Sequence, residues 1–221
     1  MPPAEDKLNG GAAVSGREAQ RQETRRRVYA AAIAEFKRTG MADADVAVIA
    51  AAAGVARGTF YFHFPTKEHV LAELERDEEA RLVAQLSKFL VQLDTRSGPG
   101  QDYLPAALAE VVRLLTAMER RVGKTLFREM LGLHFSPRRP DVLPGADQWA
   151  AYPIMTILVE AVGRARERGE VYAGADALHT AQLFMVGLYA MLIASHEYPK
   201  AMRAEILDNF MATILRGVQA R

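Results

Sequence analysis

One short segment, residues 48–67, concentrates the side chains that could do chemistry. Phe60 and Phe64 are four residues apart and fill the inward face of a helix, so their neighbours must face outward at least in part. Exposed aromatic rings beside cationic hydrogen-bond donors indicate a surface that binds a partner. The outward residues are Arg57, Gly58, Thr59, Tyr61, Phe62 and His63.

Duplex DNA would use each of these residue types. Arg57 lies near the start of its helix, where a guanidinium can donate two hydrogen bonds to a guanine edge in the major groove. Gly58 allows the backbone to approach closely, and the donors of Thr59, Tyr61 and His63 can reach phosphates. Two simpler alternatives stay open, because Tyr61 can pack on the following helix and His63 can cap or pack locally.

Lys67 adds a cation in the first turn of the next helix, where free backbone amides also favour an anion. Residues 24–67 hold seven Lys and Arg side chains against three acids, a balance of +4, whereas the whole chain carries +1. A basic region on a balanced protein is typical of a polyanion-binding end. A solvated basic helix face would give the same balance.

The elements that must position these side chains form a helix-turn-helix. Asp45 can cap a short helix that Gly54 ends, and a second short helix runs from about Ala56 to His63. Pro65 stops that helix, because proline disfavours the helical conformation of the residue before it. The residues expected to face inward on the first of these helices are Val46, Ile49, Ala50 and Ala53.

Helical periodicity predicts the other elements, and no run alternates as a strand would. The first helix begins near Thr24 as its N-cap and ends at Gly40, and its buried stripe is Val28, Ala32 and Phe36. Later helices are expected over residues 66–93, 103–121, 124–135, 147–168, 176–196 and 203–219. The fold class is therefore all-α with about nine helices. We expect a flexible tail (1–22), a DNA-binding domain (23–69) and a ligand-binding and dimerisation domain (70–221).

Residues 24–71 resemble the DNA-binding domain of the tetracycline-repressor (TetR) family. The resemblance implies a three-helix DNA-binding domain, a connecting fourth helix and a divergent helical domain that binds a ligand and dimerises. It places Arg57, Gly58, Thr59, Tyr61, Phe62, His63 and Lys67 at the DNA. The motifs that carry it are Ile49-Ala50, Ala53-Gly54-Val55, Gly58-Thr59-Phe60-Tyr61, His63-Phe64 and Lys67, with Gly40 after the first helix.

Two positions depart from the family pattern. Ala56 stands where a Ser or Thr often caps the recognition helix, so a cap worth about 1 kcal/mol is missing. Ala47 stands where a polar or basic residue often lies near phosphate. Phosphate contacts on that side are left to Thr24 or Arg25.

A ligand cavity is expected between the sixth, seventh and eighth helices, where aromatic, methionine and occasional polar residues recur. The fourth helix would connect this cavity to the DNA-binding head, so that a guest at its far end would tilt its near end. An ordinary helical core is the alternative for each residue. The expected lining is Phe127, Met130, His134, Trp149, Tyr152 and Phe184.

The last two helices are predicted to form the interface of a homodimer, as a four-helix bundle with their two-fold mates. The eighth helix is apolar nearly all round and must be covered on several sides. Burial within one chain is the alternative. The apolar residues are Leu183, Val186, Leu188, Met191 and Leu192 on the eighth helix, and Ile206, Leu207, Phe210, Ile214 and Leu215 on the ninth.

The leading function is a cytoplasmic repressor that binds a palindromic operator in double-stranded DNA as a dimer and is released by a small hydrophobic or aromatic effector. An enzyme has little support, because phosphate-loop, G-x-S-x-G and H-E-x-x-H motifs are absent. A His134–Glu160 acid–base pair would require these two residues to meet. A third class is a DNA-binding protein whose C-terminal part only dimerises.

No cofactor, metal or membrane is expected. Cysteine is absent, and none of the five histidines pairs with another at ligand spacing. The longest apolar run, Leu183 to Ala194, is too short for a membrane span, and the N-terminus lacks the apolar core of a signal peptide.

Overall fold

The computed structural model describes residues 9–96, 102–136, 139–140 and 152–219. This part of the chain holds nine helices, and its only extended pairing is an isolated bridge between Val171 and Gln219, so the all-α prediction is confirmed. The chain divides into two units, Met1–Leu71 and Ala72–Arg221. The helices are α1 (Asn9–Thr39), α2 (Val46–Ala52), α3 (Arg57–His63), α4 (Lys67–Arg96), α5 (Tyr103–Val122), α6 (Lys124–Leu133), α7 (Pro153–Glu167), α8 (Ala177–Ala194) and α9 (Lys200–Val218).

The N-terminal unit packs α2 and α3 on α1 around a small apolar core. The predicted stripe of α1 is fully buried, and Ile49 of α2 and Phe60 of α3 are fully buried as well. A buried side chain of this size contributes about 1.5–3 kcal/mol. A helix of seven residues is too short to be stable alone. The core beneath Phe60 therefore holds α3 in place.

The connection between α2 and α3 has the predicted turn chemistry. The carboxylate of Asp45 accepts a hydrogen bond from the amide of Ala47 (2.7 Å) and caps α2. Gly54 adopts φ +66°, in the left-handed region that only glycine enters without cost. Ala56 precedes α3 without a side-chain cap, as expected. Arg27 of α1 donates to the carbonyl of Ala53 (3.1 Å) and so satisfies the end of α2.

The predicted start of the first helix is wrong. α1 begins at Asn9 instead of Thr24, so residues 9–22 are helical and only residues 1–8 of the expected tail lie outside the described part. Thr24 is inside the helix, and its hydroxyl donates to the carbonyl of Gln20 (2.9 Å). Ala, Arg, Gln and Glu dominate residues 17–23 and favour helix, and the Glu18–Arg21 pair adds to this preference. These propensities outweigh the capping preference of one threonine.

In the C-terminal unit, α5 to α9 pack against one another, and the ion pair between Glu78 and Arg121 joins the remainder of α4 to α5. Asp176 caps α8 by accepting from the amide of His179 (2.8 Å), as its predicted role requires. In the described residues, α8 is the one helix long and apolar enough to cross a membrane, and α2 with α3 would meet the same criterion only as a pair bent by 95°. One face of α8 is buried in the unit, which explains its apolar sequence equally well.

Candidate functional site

The face of α3 away from the core is exposed and carries the predicted DNA-binding residues. Phe62 is 71% exposed and Tyr61 43%, values unusual for large aromatic side chains in a folded domain. Arg57 and Gly58 are exposed beside them, and Thr59 is half-buried. The structure therefore brings these five residues together on one surface.

Contacts of the aromatic rings on α3 hold the side chains of this surface in position. Phe60 is buried and meets Tyr61 edge to face, with ring centroids 5.3 Å apart. The guanidinium of Arg57 lies 5.9 Å from the centroid of the Tyr61 ring. Phe62 meets the ring of His63 edge to face at 5.1 Å. The tyrosine is held by its own helix and presents its outer side to solvent.

His63 is half-buried at the end of α3, next to two arginines of α1. Burial, followed by the charges of Arg25 and Arg21, holds the pKa of His63 below its ordinary value of 6.5. His63 is therefore largely neutral at pH 7. Arg25 is half-buried too, with its guanidinium 4.5 Å from the centroid of the Phe64 ring. Arg25 thus lies beside the recognition helix, where its predicted phosphate contact requires it.

Thr24 and Lys67, the other two predicted DNA-binding residues, already make internal hydrogen bonds. A phosphate contact by the Thr24 hydroxyl would have to replace its bond to Gln20. The ammonium of Lys67 donates to the carbonyls of Ala42 (2.8 Å) and Ala44 (3.1 Å). Lys67 therefore ties the start of α4 to the connection between α1 and α2. An ammonium has three donors, so one remains for its predicted phosphate.

A second candidate site lies in the C-terminal unit, where charged side chains are buried together. The carboxylate of Glu75 on α4 bridges two nitrogen groups, His134 Nε2 (2.8 Å) and the guanidinium of Arg139 (3.0 Å). All three side chains are at most 6% exposed. Tyr152 joins them, because its ring stacks on His134 with centroids 5.0 Å apart and lies under Arg139 at 4.9 Å.

A small cavity opens beside this cluster. Its space of about 20 Å³ suffices for one water molecule. One end is polar, with Glu75, Glu79, His134 and Tyr189, and the other walls are aliphatic or methionine. A guest larger than water would have to displace side chains. The apolar walls are Leu82, Leu115, Met118, Met130, Leu131 and Ile154.

Among the acids at this cavity, Glu79 has the negative charge that its surroundings balance least. Burial, assisted by the negative charge of Glu75, raises the pKa of Glu79 to about 7, although the amide of Ile154 and the charge of Arg139 act in the opposite direction. The amide of Ile154, in the first turn of α7, donates to one of its oxygens at 3.3 Å. Glu79 can therefore change its charge near physiological pH.

This raised pKa predicts a pH-dependent stability. Below pH 4.5 the carboxyl is protonated in both states, and as pH rises towards 7 the unfolded chain loses its proton first, so stability falls. We expect Glu79→Gln to remove a penalty of about 1–2 kcal/mol at pH 8, reduced because the group is partly solvated, and almost none at pH 4.5. Urea unfolding at both pH values measures this difference, and a gain independent of pH would contradict it.

The structure separates the predicted ligand residues. Met130 and His134 line the cavity, and Tyr152 packs against His134. Phe127 and Phe184 are fully buried in the core, and neither is among the cavity's lining residues. Phe184 instead stacks on Phe210 of α9, with centroids 6.0 Å apart. Trp149 lies outside the described residues.

Sequence reasoning missed Glu75, Glu79 and Arg139. The signal was present in α4, whose buried stripe has acids where leucines would be expected. An acid at a stripe position has to be paired or neutral, which marks a candidate polar site. His134, by contrast, pairs with Glu75, while Glu160 is exposed. The stripe is Leu71, Glu75, Glu78, Leu82, Leu86 and Leu90.

No group of three or more His, Asp or Glu side chains in the described ranges could hold a metal ion. The buried acids have protein partners instead. Besides the Glu75 cluster, Glu78 accepts from Arg81 and Arg121, and Glu119 accepts from Arg203. The pairs with Arg121 and Arg203 connect different helices of the C-terminal unit.

Comparisons with known proteins agree with the helix-turn-helix geometry. Residues 28–74 match the family model for bacterial regulatory proteins of the tetR family. An uncharacterized HTH-type transcriptional regulator of Mycobacterium bovis is 37% identical over 75 residues, which cover 34% of this chain and 35% of that protein. The same figures hold for a regulator of Mycobacterium tuberculosis. The match thus spans about a third of the length of these relatives.

Solved structures share the fold over most of the chain. FadR of Thermus thermophilus, a TetR-family transcriptional repressor in complex with lauroyl-CoA, has a TM-score of 0.66 at 24% identity, over 89% of this chain and 96% of that one. SmeT, the repressor of a Stenotrophomonas maltophilia multidrug efflux pump, has a TM-score of 0.59 at 20% identity, over 89% and 92%. Residues 28–74 thus match the tetR family of bacterial regulatory proteins, and the chain as a whole shares the helical fold of these solved structures.

Proposed function

We propose that this protein is a ligand-responsive, DNA-binding regulator of transcription, acting in the cytoplasm as a repressor. The observation that carries the proposal is the outer face of α3, where exposed aromatic rings and Arg57 surround a glycine that leaves the helix backbone open. Exposed aromatic rings and an exposed guanidinium do not contribute to a protein core. The major groove of DNA, by contrast, is wide enough to admit a helix and offers acceptors to its hydrogen-bond donors. The basic balance of this unit supports the same partner.

The Arg57 side chain tests base recognition. We expect Arg57→Ala to weaken operator binding by about 1–3 kcal/mol, roughly 5- to 150-fold, and to relax the base preference at one position of each half-site. The side chain is exposed, so the variant should unfold at the wild-type temperature. Fluorescence anisotropy on duplexes with single base changes measures both effects. An equal loss on all duplexes would assign Arg57 to the phosphates instead.

A single α3 reads too few bases for specificity, so we propose that the protein binds an inverted repeat as a dimer. The support is the apolar surface that α8 and α9 leave partly exposed. Leu183 is 64% exposed and Met202 52%, and Phe210 and Ile214 are half-buried. Three of the predicted interface residues are instead buried within the chain, namely Leu188, Leu192 and Leu207. The interface we propose is therefore the opposite face of α8.

The Leu183 side chain tests this interface. An unpaired carboxylate buried at an apolar interface costs several kcal/mol, so we expect Leu183→Glu to weaken the dimer by at least about 100-fold. Val91→Glu is the control, because Val91 is exposed to a similar extent (66%) but lies on α4. Sedimentation equilibrium distinguishes the two variants. A Leu183→Glu protein that dimerises as tightly as wild type would exclude this face.

The effector would enter the cavity beside Glu75 and Glu79 and act through α4. Three cavity residues lie on α4 (Glu75, Glu79 and Leu82), and the same helix begins at Lys67 within the N-terminal unit. A ligand that rearranges the α4 residues can thus act on the DNA-binding unit, provided that it binds more tightly to the form of the protein that releases DNA. The apolar walls favour a hydrophobic or aromatic guest with one polar group.

Calorimetry of one guest with and without operator tests the coupling. Candidates come from a thermal-shift screen of apolar and aromatic compounds that includes lauroyl-CoA, the compound bound by the similar Thermus protein. We expect operator to weaken guest binding by about 5–150-fold, and guest to weaken operator binding by the same factor. Equal affinities in both titrations would favour the alternative, a DNA-binding protein whose C-terminal unit only dimerises.

A further inference from the structure

Three arginines recur every four residues near the start of α1. Residues four apart lie on one face of a helix, about 6 Å apart along its axis. Arg17, Arg21 and Arg25 therefore form one row, which we name the arginine stripe, and Arg17 and Arg21 are exposed. The stripe lies on the same face as Val28, Ala32 and Phe36, because eleven residues make just over three full turns.

The position of the arginine stripe is informative, because it continues the buried apolar face of α1 with cationic side chains. Along Val28, Ala32 and Phe36 the face is covered by α2 and α3. Beyond Val28 the same face changes to arginine, so its partner there cannot be an apolar core. A row of guanidiniums fits a regularly spaced polyanion, and phosphates are the group that arginine binds with paired donors.

The stripe also begins at the recognition helix. Arg25 lies over the ring of Phe64, the residue that follows α3, at 4.5 Å. Arg21 is close enough to His63 to act on its charge together with Arg25. Arg17 continues the row one turn further. The end of α3 and the arginine stripe thus form one continuous positive surface within the N-terminal unit.

We propose that the arginine stripe binds the phosphate backbone of the operator next to the half-site read by α3, which rests on the proposed DNA-binding function. The ion pair between Arg21 and Glu18 does not prevent this. Both groups are about half exposed, and an exposed pair is worth at most about 1 kcal/mol, so a phosphate can replace the glutamate.

The chain supplies a matched control at Arg26. This residue pairs with Glu23 three residues earlier, in the same geometry as Arg21 with Glu18, but lies on another side of α1. Glutamine has a helix propensity close to that of arginine, so substitution should leave α1 intact. Arg21→Gln and Arg26→Gln therefore remove the same charge and the same type of ion pair from two different faces.

The experiment measures the affinity of the full chain for its preferred duplex between 50 and 200 mM KCl. Each lost phosphate contact makes the negative slope of log K against log salt shallower by about 0.9. A dimer loses two contacts for each substituted position, so we expect the slope to become shallower by about 1.8 for Arg21→Gln and by about 3.6 for Arg17→Gln with Arg21→Gln, while Arg26→Gln keeps the wild-type slope. Over this range the wild type would lose about 150-fold more affinity than the double variant.

Two results would overturn the inference while leaving the proposed function intact. One is a double variant with the wild-type slope on a duplex that the wild type binds specifically. The other is an equal fall for Arg26→Gln, which would mean diffuse charge instead of a defined surface. A wild type without any preference among duplexes would overturn both the proposed function and this inference.

Discussion

Glu75→Met is expected to destabilise the C-terminal unit by about 3–5 kcal/mol. The substitution preserves the length of the side chain and removes the carboxylate that bridges His134 and Arg139 in the described residues. Arg139 then loses its ion-pair partner, and a buried charge left without that partner has a cost of this size. Urea unfolding followed by circular dichroism measures the loss as a lower midpoint at an unchanged slope.

A second substitution separates lost charge pairing from lost packing. Adding Arg139→Met to Glu75→Met removes both charges, and apolar replacement of a buried pair is often neutral or favourable. We expect the double variant to recover most of the stability. Glu160→Met is the control, since Glu160 is exposed on α7 and its loss should change stability by less than about 0.5 kcal/mol. A Glu75→Met protein within 1 kcal/mol of wild type would show that the bridge is not a buried ion pair.

Gly58→Leu is expected to abolish specific DNA binding while the protein stays folded. A Cβ atom added at Gly58 would meet no atom of the protein within 4 Å, and leucine favours helix more than glycine does, so stability should rise by about 0.5–1 kcal/mol. Against DNA the same side chain would occupy the space of the approaching groove. We expect at least a 100-fold loss of affinity, because overpacking and a displaced Arg57 add their costs.

This pair of effects distinguishes a DNA-binding surface from a merely exposed one. Gly163→Leu is the control, because Gly163 is also in a helix, α7 of the C-terminal unit, and also has open space around an added Cβ atom. It should gain stability in the same way and keep the wild-type affinity. If Gly58→Leu binds the preferred duplex as tightly as wild type, then α3 does not enter a groove at this position.

The sequence was most informative where local rules and packing agree. Asp45, Gly54 and Phe60 each have a residue type that their position demands, namely a cap, a left-handed turn and a core anchor. The helix-turn-helix could therefore be predicted to within a residue or two. At Thr24 the local rule failed, because a capping residue can also lie inside a helix when its neighbours favour helix.

The second site could not be predicted in the same way. The pairing of Glu75 with His134 and Arg139 joins residues that are 59 and 64 positions apart, and no spacing rule relates them. Phe127 and Phe184 have the residue type expected of a ligand pocket, yet that type is also the commonest choice for a helical core. Only the packing of α4 against the later helices distinguishes these two roles.

Selection of duplexes from a fully randomised library by the wild-type protein tests whether α3 reads DNA within a dimer. If α3 reads DNA and the protein acts as a dimer, repeated rounds should enrich an inverted repeat whose half-sites are centred about 34 Å apart, one helical turn. Enriched guanines should lie within each half-site, opposite Arg57. A pool that stays random, or that converges on single or direct repeats, would contradict the account.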